Sequence, residues 1–195
     1  MISNLARGVR AFTSNAFYVD GERRVLVDAG ANFDVVSRLE EQGGLDALVM
    51  THTHRDHVGN LPEVVDAFDV DVWGFDTDQP GVDHAIADEE RVVLGDDEYV
   101  AYHTPGHKDD HLCFHSPAAR VLFAGDLVFQ GGSFGRTDLE EGDHPLLVDS
   151  IERMVDVLDE DLAAMHTGHG PSVTDQPYRH VEAALESARA AGGRR

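Results

Sequence analysis

The sequence predicts a single α+β domain over residues 1–195, with two β-sheets stacked face to face and helices on their outer sides. Three observations carry that expectation. Short apolar, β-prone runs alternate with amphipathic helical segments in each half of the chain. Two local echoes relate the halves: residues 24–30 (RVLVDAG) resemble 120–126 (RVLFAGD), and the approach to His52 resembles the approach to His169. Residues able to bind metal follow apolar strands in both halves, so stacked sheets can deliver them to a common edge.

Residues 15–19 and 24–27 read as strands joined by a hairpin turn at Asp20-Gly21-Glu22. Residues 33–42 carry Phe33, Val36 and Leu39 at helical spacing and stop at Gly43-Gly44. The run 47–50 is apolar and too short for a helix, which makes it a buried strand. Asn60 stands where a cap is needed for a helix over 61–68, with Pro62 in its first turn. A strand at 70–75 precedes an acidic, irregular stretch, 76–90, expected as an exposed loop near the site. Strands follow at 92–94 and 99–103, and 112–115 pairs with 120–124 around Ser116-Pro117-Ala118-Ala119. A helix at 145–158, a buried strand at 163–165 and a helix at 178–190 complete the chain, with 192–195 expected to fray.

A domain of 195 residues buries roughly 70% of its unfolded surface, enough for a core. No apolar run approaches the roughly 20 residues of a membrane span. Residues 1–7 show no long apolar segment, so no signal peptide is expected and the location is cytoplasmic. The formal charge is −22, and Lys108 is the only lysine. Excess acid with almost no lysine points to adaptation to high intracellular salt; an ordinary acidic protein is the alternative. Either way the chain should repel nucleic acid and anionic membrane. Cys113 is alone, which excludes an intrachain disulfide, and its apolar setting fits a small buried hydrophobe.

His52, His54, Asp56 and His57 crowd into six residues directly after an apolar strand. A strand points alternate side chains the same way, so His52 and His54 can converge on one ion. Once the chain turns, Asp56 and His57 can face a second. Three later loops each follow a strand and each offer one ligand: His107 from a tight turn, Asp126 after Gly125, and His169 between glycines that let backbone approach a crowded site.

H-x-H-x-D-H, then T-P-G-H, G-D and G-H-G, resembles the metallo-β-lactamase superfamily from about residue 15 to 170. The resemblance implies an αββα sandwich with a two-metal site at one edge of the sheets. It implies that His52, His54 and His107 hold one metal, that Asp56, His57 and His169 hold the second, and that Asp126 bridges them. Two Zn²⁺ are expected, with Fe or Mn as substitutes. Gly135-Arg136-Thr137-Asp138 is similar to a segment of small glyoxalase-II-like hydrolases and of persulfide dioxygenases. Thr104 to His111 is similar to the T-P-G-H-T-x-G-H of glyoxalase II, with Lys108 and Asp110 replacing Thr and Gly. The helical C-terminal domain of larger glyoxalase II enzymes is not expected, and Asp126 stands where many β-lactamases carry cysteine.

The implied reaction is hydrolysis of a small anionic thioester or ester, with Asp56 as ligand and orienter of the nucleophile. A mononuclear iron persulfide dioxygenase using His52, His107 and Asp126 is the alternative, and a non-catalytic metal-binding module a third. Lys108 and Arg136 are candidates for holding a substrate carboxylate, and His111 for lining the site. Asp28 fits either a partner orienting a ligand histidine or an ordinary turn aspartate. Nothing in the sequence sets the oligomeric state.

Overall fold

A computed structural model describes residues 1–192; the expected frayed end therefore lies, apart from Gly192, outside the described residues. In the first half, β1 (Ile2–Asn4), β2 (Phe17–Val19) and β3 (Val25–Val27) precede α1 (Val35–Glu41). β4 (Ala47–Val49) leads into α2 (Arg55–Val58) and α3 (Leu61–Phe68), then β5 (Val72–Gly74) and β6 (His84–Ala85). These six strands form one sheet in chain order. The second half contains β7 (Arg91–Leu94), β8 (Asp97–His103), β9 (Leu112–Ser116) and β10 (Val121–Gly125). After the small hairpin of β11 (Val128–Phe129) and β12 (Ser133–Phe134) come α4 (His144–Val157), β13 (Ala164–Thr167) and α5 (Pro177–Gly192). The second sheet runs β13-β10-β9-β8-β7.

Strand alternation explains the layers. Val25 and Val27 of β3, Ala47 and Val49 of β4, and Val121 and Phe123 of β10 share the core between the sheets. Leu26 and Leu48 face the other way, onto Val35 and Leu39 of α1 and Val64 of α3. Leu122 and Ala124 face Leu147, Ile151 and Met154 of α4 and Val181 and Ala184 of α5. Strands buried on both faces must be continuously apolar, as these are.

The two sequence echoes coincide with a structural one. β3 pairs antiparallel with β2 and parallel with β4; β10 pairs antiparallel with β9 and parallel with β13. Each half thus holds a parallel strand pair whose C-terminal ends reach the same edge of the sandwich.

Several details differ from the sequence expectations. Asn60 stands at the N-cap of α3 but makes no side-chain cap bond; its Nδ2 donates to Ala29 O at 3.1 Å, tying α3 to the end of β3. The stretch 76–90 includes the short strand β6 and the fully buried Ile86, so it is neither wholly irregular nor wholly exposed. β1, α2 and the β11–β12 hairpin were not anticipated.

Candidate metal centre

All seven predicted ligands meet at the edge where β4, β10 and β13 end. His52 and His54 follow β4, Asp56 and His57 lie in α2, His107 is in the β8–β9 loop, Asp126 follows β10 and His169 follows β13. Their ligand atoms form interlocking triads, His52/His54/His107 and Asp56/His57/His169, each within 4.8 Å. Asp126 lies between them: its Oδ2 is 3.4 Å from His107 Nε2 and 3.5 Å from His169 Nε2, and its Oδ1 is 3.5 Å from His57 Nε2.

Hydrogen bonds fix which ring nitrogen faces inward. His57 Nδ1 donates to Asp28 Oδ2 at 2.9 Å. His52 Nδ1 is 3.1 Å from Thr51 Oγ1, which donates to the same Asp28 Oδ2 at 2.8 Å. One buried carboxylate thus orients a histidine of each triad, which favours the first of the two readings of Asp28 that the sequence left open. His107 Nδ1 donates to the Arg136 carbonyl at 2.8 Å. His54 Nδ1 and His107 Nε2 then approach to 2.9 Å, two ring nitrogens aimed at one point.

This donor set fits metal ions. His52 Nε2, His57 Nε2 and Asp126 Oδ1 are buried without a hydrogen-bond partner, an arrangement costly unless a cation completes it. Burial, followed by neighbouring histidines, lowers the pKa of His52 and brings that of His54 to about 4. Burial likewise lowers His107 against the opposing pull of Asp126. These rings keep lone pairs at neutral pH. Burial also disfavours charge on His57 and Asp126, but Asp28 and Asp126 around His57 outweigh it and raise that ring; His57, His169 and His107 hold the Asp126 carboxyl below its usual range. Glycine at 168 is a packing requirement: a Cβ there would sit 2.0 Å from Asp126 Oδ1 and 2.8 Å from His57 Cε1.

The chain leading into β2 closes the edge. Asn15 Nδ2 donates to the Thr167 and Gly170 carbonyls at 2.7 and 2.9 Å, and Ser14 N donates to Asp56 O at 3.1 Å. The chain before β2 thereby stitches the two ligand-bearing halves together. It also carries Phe12, stacked near His169 at 6.1 Å between centroids. A cleft of about 760 Å³ opens over the centre, walled by Phe12, Phe129, Phe134 and Leu139, with Arg55 and Arg136 at its margin.

Of the three residues expected to meet substrate, His111 and Lys108 lie outside the metal cleft, and Arg136 lines it with its guanidinium paired to Asp138. His111 is fully buried; its Nε2 accepts the Asp126 backbone N–H at 3.0 Å and its Nδ1 bonds Thr104 Oγ1 at 2.8 Å, so it positions a ligand loop instead of lining the cleft. Lys108 is only 5% exposed, and its ammonium is bound to Glu141, Asp109 and Asp110. Burial alone would lower its pKa, but these carboxylates, Glu141 foremost, raise it. The Arg136 guanidinium makes two 2.7 Å bonds to Asp138 and meets the centre through its carbonyl.

Two triads of histidine and aspartate sharing one carboxylate, delivered by two stacked sheets, define a binuclear metal-site domain. Residues 9–80 and 77–169 match the model of the metallo-beta-lactamase superfamily, and the chain belongs to that family. It is 30% identical over 192 residues to the hydroxyacylglutathione hydrolase GloC of Haemophilus influenzae, covering 85% of this chain and 90% of that one. With a hydroxyacylglutathione hydrolase of an Enterobacter species it shares 35% identity over 130 residues, covering 64% of this chain and only 51% of that relative. Among solved structures, the BLEG-1 B3 metallo-beta-lactamase aligns with a TM-score of 0.78 at 27% identity, covering 95% of this chain and 97% of that one. The protein TTHA1623, in a di-iron-bound form, aligns at 0.74 and 27% identity, with 96% of each chain covered. No described helix is long and apolar enough to cross a membrane.

Proposed function

We propose that this protein hydrolyses a small anionic thioester or ester at a pair of divalent ions, zinc in both positions, in the cytoplasm. The observation that carries the reading is the convergence of both triads on Asp126, with three buried ligand atoms lacking any hydrogen-bond partner. Two relatives, at 30% and 35% identity, are named hydroxyacylglutathione hydrolases, which supports a thioester.

Bound ions supply Lewis acidity, polarising the substrate carbonyl and acidifying a water near neutral pH. The residues do the rest. His52, His54 and His107 would hold one ion, Asp56, His57 and His169 the other, and Asp126 would touch both. Asp56 is the half-buried carboxylate on the open side of the centre, 3.0 Å from His169 Nε2. Burial would raise its pKa, but the His169 hydrogen bond and His57 bring it below the ordinary value, so it stays ionised. It orients the attacking water and takes its proton as the water oxygen bonds the carbonyl carbon, then returns that proton to the thiolate or alkoxide released when the carbonyl–sulfur or carbonyl–oxygen bond breaks, leaving an acid and a thiol or alcohol. Phe129, Phe134 and Leu139 shield the reacting carbonyl from bulk solvent. Cys113 is no nucleophile: burial pushes its thiol up to about 12, and it lies in the core beneath α4 and α5.

Metal analysis of protein purified without added metal or an affinity tag tests the reading. The expected result is about two zinc per chain, with thioester hydrolysis lost on chelation and restored by zinc. About one iron per chain, with oxygen consumed when a small persulfide is added, would overturn it in favour of the dioxygenase. Turnover of a β-lactam in place of a thioester would overturn the substrate class.

A further inference from the structure

We propose that Arg55 is the specificity anchor of the site, binding an anionic group, carboxylate or phosphate, on the substrate. The proposal rests on the reading of the protein as a hydrolase of small thioesters or esters and names the group that selects among them. Two positions in the stretch from His52 to His57 are not ligands, Thr53 and Arg55. Thr53 is committed inward: its backbone N–H and its hydroxyl both donate to Asp110 Oδ2, at 3.1 and 2.6 Å. Arg55 is exposed and lies between the ligands His54 and Asp56.

Three cavities share this residue. Arg55 lines the metal cleft of about 760 Å³, a second cavity of about 490 Å³ beside Thr53 and Glu141, and a third of about 440 Å³ beside Asn32 and Glu63. It is the one residue common to all three linings, so a substrate arm leaving the metal centre in any of these directions passes Arg55.

The other two cations nearby, Lys108 in the cavity of about 490 Å³ and Arg136 in the metal cleft, both have acidic partners. Lys108 is bound by three carboxylates and Arg136 by Asp138. Arg55 has no side-chain hydrogen bond or ion pair with any described residue. Its surroundings make this informative, because Asp56, Glu63, Glu140 and Glu141 line the same cavities. In a chain of net charge −22, an anion is repelled almost everywhere on the surface. An unpaired guanidinium beside the reacting centre is a local positive charge within that field and offers a planar fork matched to carboxylate or phosphate.

The test uses metal-loaded protein and non-hydrolysable thioethers that differ in one terminal group: carboxylate, phosphate or neutral carboxamide. The parent is expected to bind one charged analogue about tenfold more tightly than the carboxamide. The analogue preferred, carboxylate or phosphate, identifies the group. Arg55→Ala should collapse the preference towards unity, and Arg55→Lys should keep part of it. Arg189→Ala, which removes a surface pair with Glu152 on the far helices, should leave it intact. A preference that survives Arg55→Ala, or that is lost in Arg136→Ala instead, overturns the proposal. These are binding measurements, so they judge Arg55 even where no thioester is turned over. Thioester hydrolysis indifferent to Arg55 would overturn the anchor and leave the proposed reaction standing.

Discussion

At the scale of single residues, Asp28 shows what lies behind a set of ligands. Its Oδ1 accepts Thr51 N and its Oδ2 accepts from both Thr51 Oγ1 and His57 Nδ1. It does so from a left-handed backbone conformation, φ 60°, that places the carboxylate under the ligand loop. Replacing it by asparagine removes one acceptor, because an amide nitrogen cannot receive the proton of His57 or Thr51. Asp28→Asn is expected to weaken metal binding about 10- to 100-fold, read by chelator competition, with the circular dichroism spectrum retained. Unchanged affinity would show that the ligand histidines hold their orientation without it. The ligands were legible because their spacing after apolar strands is informative in itself. The partners were not: Asp28 meets His57 across 29 positions, and His107 meets the Arg136 carbonyl across another 29. Only the fold creates those meetings. The same limit hid the pairing of Lys108 with Glu141, 33 positions away, whereas the Asp138 partner of Arg136 lies two positions on and was within reach of the sequence.

At the scale of elements, the strands with both faces buried were readable from their continuous apolar runs, α1 and α4 from their periodicity, and α3 from Asn60 and Pro62 at its start. The elements not anticipated owe their existence to neighbours. β1 is three half-buried residues paired with β2, and β11–β12 is a pair of two-residue strands packed beneath α5. α2 is a four-residue turn inside the ligand motif, too short to show a period. The loops that join elements carry a further dependence. Lys108 in the β8–β9 loop binds Glu141 of the loop before α4 and lies 3.6 Å from the buried Asp110, which in turn holds Thr53 of the ligand loop. Asp110 Oδ1 has no hydrogen-bond partner, so Lys108 is its compensation. Lys108→Met should cost about 3 kcal/mol in urea unfolding, since it strands a buried carboxylate. Adding Asp110→Asn should recover much of that loss. A single variant as stable as the parent would mean that Asp110 is protonated or solvated without the lysine.

At the scale of the whole molecule, the charge is the dominant fact. The chain carries 37 acidic against 15 basic residues, and many of its arginines are committed locally, Arg24 to Asp46, Arg153 to Asp88 and Glu89, Arg179 to Glu160. The remaining carboxylates repel one another across a small domain. Salt acts on these two populations in opposite directions. It weakens exposed pairs worth about 0–1 kcal/mol each, and it screens the long-range repulsion as the Debye length falls from about 10 Å at 0.1 M to about 3 Å at 1 M. With a net charge of −22 the repulsion outweighs the few pairs, so Tm should rise steadily as KCl increases from about 0.1 to 2 M. Chloride is the appropriate anion because sulfate would stabilise burial in any acidic or neutral protein. The measurement belongs on metal-loaded protein, so that loss of ions at low salt does not imitate unfolding. A flat or falling Tm would mean that the acidic surface is tolerated without screening, which removes the physical basis for reading this composition as adaptation to salt. A rise would have a consequence for Arg55 as well: the same screening weakens its hold on an anion, so discrimination among substrates should be sharpest at salt concentrations where the fold is least stable.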